Sequence, residues 1–387
     1  MNGVRAAWAV ALWLALLAGL LVAWSPRYWA VSVALAAVAL VAVCRAVVAR
    51  DVRVPPHIAL VAPIGAFGFL QIALHTTVLP HLTLETSLVW AVSATAFLLG
   101  ADVLRDRGAR HLFLDLLLWS LTLLAVVAIP QHYLSGDKVF GIFPVESGGF
   151  GTLLSPNQFA ALMELAAPIA LWRTIDRNPL PGGICFIMIL AAAVTTTSRA
   201  GVILIAAELV VFVIARLLVR PAGARLLLTA AAGLALVLAA AAAIAGTDMM
   251  KAKFADKDPY SVRRQLLSST LTLIASRPVT GYGLGTWRSV YPRAAVFDMA
   301  ALANEAHNDW AQWTCDGGLP FSLLMAALVL WIARPAMQSL WGLGLLSVMA
   351  HSFVDYPIRE PVLSLLWFVL AGAVSQYGRL GSRINSP

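Results

Sequence analysis

Residues 6–24 read AAWAVALWLALLAGLLVAW, a run without a charge or a proline. At 1.5 Å of rise per residue such a run forms a helix of about 28 Å, the thickness of a bilayer's hydrocarbon core. One cation, Arg5, precedes it and no small-residue cleavage site follows it, so it reads as a first membrane span and not as a removed leader. Moving outward from this run, similar stretches recur at about 29–49, 57–78, 86–104, 111–130, 157–175, 182–197, 200–218, 225–245, 317–333, 336–354 and 361–378. The fold class they predict is all-α: a polytopic integral membrane protein of about 12 transmembrane helices.

Composition agrees. Of 387 residues, 60% are hydrophobic and 12% charged, and the mean hydropathy is +0.84, which leaves too little polar surface to coat a water-soluble particle. The net charge of +8 does not point to nucleic acid, because the cations sit in short loops between apolar runs and form no basic stripe with interleaved aromatics. Cys44, Cys185 and Cys315 lie in or beside apolar segments without a CxxC pair or a zinc-like histidine spacing, and read as small hydrophobic residues.

The cations give the bundle an inside and an outside. With a cytoplasmic N-terminus the inner segments collect Arg5, Arg45, Arg50, Arg53, Arg105, Arg107, Arg110, Arg173 and Arg177, then Arg216, Arg220, Arg225, Arg334, Arg379 and Arg383. The short outer connections hold Arg27, Lys138, Arg199 and Arg359, a bias of fifteen to four that places both termini in the cytoplasm. Within one membrane domain spanning 1–387, the predicted organisation is five N-terminal helices over 6–130, an outer loop over 131–156 and four helices over 157–245. A long outer loop over 246–316 and three C-terminal helices over 317–378 complete it. A connection as long as 246–316 is uncommon without a function. Leu266, Leu267, Leu271, Leu273 and Ile274 predict a helix over 261–276 lying on the bundle or membrane surface, and a short helix is expected over 305–313.

Several outer residues are suited to chemistry. Arg199, in the turn Thr195-Thr-Thr-Ser-Arg-Ala-Gly201, is either a snorkelling anchor or a guanidinium fork for an anion such as phosphate. Arg263 and Arg264 open the loop helix, as a solvated pair or as anion ligands, and Arg288 lies downstream. His307, in Glu305-Ala-His-Asn-Asp-Trp-Ala-Gln-Trp313, is a candidate general base, although a lone histidine is more often structural. Asp355 and Arg359 share the outer face, where they either pair with each other or orient a ligand. The glycines of Gly281-Tyr-Gly-Leu-Gly285 lack a preceding strand and read as turn glycines. Asp115, Glu164 and Glu208 fall in or near spans, where acids are costly, and they support the alternative of a secondary transporter or flippase. The lack of an internal repeat argues against that alternative.

Four segments in order resemble the O-antigen ligase and polymerase superfamily of bacterial envelope enzymes, with likeness from about residue 143 to the C-terminus. They are Ser155-Pro-Asn-Gln-Phe-Ala-Ala-Leu162 with Pro168, the turn Ser198-Arg-Ala-Gly201, the Arg-x3-Leu motif from Arg263 to Leu267 with the turn at 278–285, and the His-x10-Gly motif from His307 to Gly318. Two positions depart from the pattern: Leu267 stands where a tryptophan is frequent, and Asn157-Gln158 replaces an Asn-His pair. The resemblance implies transfer of a glycan from undecaprenyl diphosphate to a sugar hydroxyl at the periplasmic face of the inner membrane, without a metal, a nucleotide sugar or another cofactor. The acceptor is then lipid A core or another lipid-linked repeat. It also implies His307 as general base and Arg199 and Arg263 as diphosphate ligands, with Arg264, Arg288, Asp355, Arg359 and Asn157 as further substrate-binding residues.

Overall fold

The computed structural model describes residues 3–25, 28–48, 56, 58–136, 138–144, 149–176, 179–219, 233, 261–295 and 303–376. Numbered along these residues, the first helices are α1 (Gly3–Val22), α2 (Tyr28–Val48), α3 (Ile58–Ala73), α4 (Pro80–Val103) and α5 (Arg107–Leu134). A short antiparallel hairpin, β1 (Lys138–Val139) with β2 (Phe143–Pro144), leads to α6 (Pro156–Asp176), α7 (Pro179–Thr195) and α8 (Arg199–Val219). Beyond it come α9 (Ser261–Ser276), α10 (Trp287–Val290), α11 (Asp309–Ser339), α12 (Leu343–His351) and α13 (Pro361–Val374). Apart from residue 233, the span expected over 225–245 lies outside the described residues, as does much of the long loop.

Among the described residues six helices are long and apolar enough to cross a membrane, α1, α2, α4, α5, α8 and α11, and α3, α7 and α13 are shorter apolar helices. Leu14, Leu40, Leu123, Ile203 and Leu330 point outward and are at least half exposed, a surface that suits lipid and not water. Inside, small residues let backbones approach, as is usual where no hydrophobic drive separates helix from lipid. At the crossing of α4 and α13 a Cβ on Gly100 would stand 2.1 Å from Val369 O, and one on Gly372 2.0 Å from Phe97 O, so the two glycines set that distance together.

The helices pack around one continuous hydrophobic core. Helix α4 lies against α3 and α13, while α6 lies against α7, α8 and α12. Toward the ends opposite the candidate site, Arg45 is buried against Asp102 at 2.9 Å, and Arg173 Nε reaches Asp115 Oδ1 at 2.9 Å. Asp115 is therefore engaged by a cation and needs no coupling role.

Helix bounds differ from the hydropathy reading where polar residues continue a helix. The α11 helix begins at Asp309, not in the apolar run starting near 317, because Asn308 caps it by accepting from Ala311 N at 2.9 Å. Its first two turns carry Asp309, Gln312, Thr314 and Asp316, which a hydropathy window scores as loop. The short helix expected over 305–313 is the start of α11, and residues 303–308 are irregular. The loop helix α9 spans the expected residues and turns Leu266 and Leu273 into a small separate core with Tyr282, Trp287, Tyr291 and Cys315, leaving Leu271 exposed.

Candidate functional site

The N-terminal ends of α2, α4, α6, α8, α11 and α13 lie at one end of the bundle by alternation of the chain, and the residues with chemistry gather there. The local frame is a glycine turn locked to a broken helix. Gly281, Gly283 and Gly285 have φ of 62°, 111° and 80°, values that L side chains rarely adopt. The turn's amides bond across to α11: Tyr282 N donates to Cys315 O at 3.0 Å, Gly283 N to Asp316 O at 2.8 Å and Gly285 N to Asp316 Oδ2 at 3.0 Å. In α11 itself Gly318 breaks the helix at φ 68°, and Leu319 N donates to Pro278 O at 2.8 Å. Gln71 of α3 ties the assembly to the bundle, donating to Thr280 O and Asp316 O and accepting from Leu284 N.

A second set of bonds clamps the start of α11 to the turn after α12. Asp309 N donates to Ser352 O at 2.9 Å, and Asp309 Oδ2 accepts from Ser352 Oγ and from Ile358 N, both at 3.1 Å. Asn308 Nδ2 donates to Phe353 O at 2.8 Å. His307 lies just before this clamp with φ 52°, a left-handed conformation that is uncommon for a residue with a Cβ and is held by the bonds on its C-terminal side.

Three of the expected residues converge on the carboxylate of a fourth, Asp355. Asp355 Oδ2 accepts from Arg263 Nη2 at 2.9 Å and from Asn157 Nδ2, and Asp355 Oδ1 faces His307 Nδ1 at 3.4 Å. The Asp355 side chain is 3% exposed and that of His307 34%, so the carboxylate is enclosed while the imidazole remains accessible. Burial pushes the Asp355 carboxyl up, but the nearby His307 imidazole and the Arg263 guanidinium outweigh it and hold the group below its ordinary value. The Tyr356 ring stands edge-on to the His307 ring with centroids 4.8 Å apart.

Arg359 does not pair with Asp355. It turns to the other side of the 3-10 turn Pro357–Arg359, with Nε 2.7 Å from Glu305 Oε2 and Nη1 3.6 Å from Asp316 Oδ2. Gln312 Nε2 also donates to Glu305 Oε2, at 2.8 Å. Arg288 is exposed next to this network, and it shares with Arg359 a cavity of about 430 Å³ that is separate from Asp355 and His307. Arg264 is exposed on α9, and Arg199 is the first residue of α8, which packs on α6 and α12.

Beneath Asp355, His351 Nδ1 lies 2.6 Å from Glu164 Oε1, with side chains 1% and 0% exposed. The Ser-Arg-Ala-Gly turn meets the same place, since a Cβ on Gly201 would stand 2.6 Å from Ala160 Cβ and 3.4 Å from Glu164 Oε1. Glu208 is buried on α8. The pairing of Glu164 with His351 escaped the sequence reading, as did the roles of Glu305 and Tyr356. The one available signal was spacing: His351 stands four residues before Asp355, and Asp355 N donates to His351 O at 3.0 Å.

The fold and this cluster define a multi-pass membrane protein with a polar, arginine- and histidine-bearing centre at one end of an apolar bundle. A family model described as O-antigen ligase matches residues 184–326, and the match supports the O-antigen ligase and polymerase superfamily, hence an enzyme of glycosyltransferase type. The matched residues include the Arg199 turn, the Arg263 motif and the segment from His307 to Gly318, whereas Asn157 and Asp355 lie outside them. No curated protein matches the chain.

Proposed function

We propose that the protein moves a glycan from undecaprenyl diphosphate to a sugar hydroxyl at the periplasmic face of the bacterial inner membrane, with both termini cytoplasmic. The acceptor is lipid A core, as for an O-antigen ligase, or another lipid-linked repeat, as for a polymerase. The observation that carries this reading is the convergence of Asn157, Arg263 and His307 on Asp355.

With Nδ1 of His307 turned to Asp355, Nε2 is left to accept the acceptor's hydroxyl proton, and the buried carboxylate stabilises the imidazolium that forms. The hydroxyl oxygen then bonds to the anomeric carbon as that carbon's bond to the diphosphate oxygen breaks. Negative charge grows on the departing diphosphate, and Arg199 and Arg263 are the cations that meet it, with Arg264 as a further ligand. Asn157 fixes the Asp355 carboxylate from α6.

The test is transfer by the purified protein from a lipid-diphosphate glycan. His307→Ala and Arg199→Ala abolish transfer while the protein remains inserted and folded; full activity of His307→Ala would overturn the mechanism. The reading includes metal independence, which the motifs do not secure, because Asp256-Lys-Asp258 has the Asp-x-Asp spacing of many metal-dependent transferases and lies outside the described residues. On this reading transfer continues at an unchanged rate in excess EDTA, and loss of activity restored by a divalent cation would refute that part. Solute uptake by proteoliposomes containing this protein alone would favour a transporter.

A further inference from the structure

The cavity of about 430 Å³ beside Arg359 has no part in the chemistry assigned to Asp355 and His307, yet it is the size of small-molecule sites. It lies between α2, α4, the glycine turn and the 3-10 turn Pro357–Arg359. Its lining carries charges of both signs, Arg288 and Arg359 with Glu85 and Asp316. Arg359 is moreover already engaged by Glu305 and Asp316. A diphosphate needs surplus positive charge, whereas a neutral polyhydroxyl ligand is matched by donors and acceptors in equal supply. Thr86 and Ser32 add hydroxyls to that lining.

The remaining wall is apolar and belongs to membrane helices. Val31 and Leu35 come from α2 and Val89 from α4, and α2 carries exposed Trp29 and Val33 on its surface. A ligand occupying both parts has a sugar head and a hydrocarbon tail. The cavity also adjoins the proposed centre through shared elements: Asp355 stands two residues before the 3-10 turn that Arg359 ends, and Glu305, which holds Arg359, stands two residues before His307.

We propose that this cavity is the binding site for the glycolipid acceptor, distinct from the donor's diphosphate site around Arg199 and Arg263. The proposal rests on the glycan-transfer reading above. It assigns the two substrates to opposite sides of the turn that carries Asp355 and Arg359, so that the acceptor hydroxyl reaches His307 from the α2–α4 side.

Binding in lipid nanodiscs, read by native mass spectrometry, tests it with two probes, undecaprenyl diphosphate and a lipid A core glycolipid. The native protein binds one of each at once. Val89→Trp and Val31→Trp fill the cavity from its two walls and weaken the glycolipid by about tenfold or more while undecaprenyl diphosphate binding is retained, which also shows that the variants fold. Leu123→Trp, on the exposed face of α5, changes neither. Retention of the glycolipid by both filled variants, its displacement by undecaprenyl diphosphate, parallel loss of both probes, or failure of the native protein to bind the glycolipid would each overturn the assignment. Failure of the native protein to bind undecaprenyl diphosphate would instead overturn the donor reading, and the glycolipid result would still stand on its own.

Discussion

Arg263 Nη2 lies 2.9 Å from Asp355 Oδ2, joining the loop helix α9 to the turn after α12 across 92 residues of sequence. The same carboxylate orients His307, so one substitution disturbs both the proposed base and a proposed diphosphate ligand. Asp355→Asn keeps the size of the side chain but removes its charge. Its transfer rate falls by about 10²–10⁴-fold, the range associated with loss of acid–base function. Single-turnover kinetics with saturating donor measures the change. A rate within a few-fold of native would remove Asp355 from the mechanism.

The depressed titration of Asp355 fixes the sign of its effect on stability. An acid whose folded-state pKa lies below its unfolded value of about 3.9 contributes stability above that value and loses it as pH falls through the folded pKa. The stability difference between native protein and Asp355→Asn therefore shrinks as the pH is taken from about 5 to below about 4. Thermal unfolding in detergent across that range reads it. A difference that grew on acidification would mean that burial, and not Arg263 and His307, dominates at this carboxyl.

The bundle was legible because lipid imposes a length and a composition on each span, and residues 6–24 satisfy both. The start of α11 was not, because Asp309 bonds to the turn after α12, Asp316 to the glycine turn and Gln312 to Glu305 and Ala306, partners that a hydropathy window cannot see. At the site, Arg263, His307, Asp355 and Asn157 were each nameable from residue type and motif, but not their convergence on one carboxylate. Of the two alternatives for Asp355 and Arg359, a mutual pair is not formed, for a related reason. Two acids distant in sequence from Asp355, Glu305 and Asp316, compete for Arg359, and the 3-10 turn faces it toward them.

The glycine turn makes a packing prediction. A Cβ on Gly318 would stand 2.1 Å from Val279 O, and its φ of 68° disfavours any L side chain. Gly318→Ala therefore destabilises the protein by about 1–3 kcal/mol and lowers transfer, because the same junction fixes α11 behind His307. Thermal unfolding in detergent shows the loss. Gly183→Ala, inside helix α7 with nothing within 4 Å, is the contrasting control and causes no loss of stability.

Arg359 and Arg288 line the same cavity but differ in commitment. Arg359 is bonded to Glu305 and Asp316, so Arg359→Ala leaves two carboxylates without their cation and costs about 1–3 kcal/mol, discounted because its side chain is 22% exposed. Arg288 is exposed and forms no ion pair among the described residues, and Arg288→Ala leaves the unfolding temperature within error. Comparison of the two variants by thermal unfolding checks the ordering. Equal stability of both would show that the Glu305 and Asp316 contacts are solvated.

The buried pair Glu164–His351 joins α6 to α12 beneath the candidate site, with a contact of 2.6 Å and almost no exposure of either side chain. Removing one member strands the other in a low-dielectric interior, whereas removing both leaves only a packing change. Glu164→Leu and His351→Leu singly each cost about 3–5 kcal/mol, and the double variant costs less than their sum by about 1–3 kcal/mol. Reversible unfolding in mixed micelles measures the cycle. Its outcome also bears on the transporter alternative, because a coupling acid has to exchange its proton with water on both sides, while a structural pair has no such need. If the double variant folds and still transfers glycan, the pair is structural. Strict additivity of the two single losses would show that Glu164 and His351 do not interact in the folded protein.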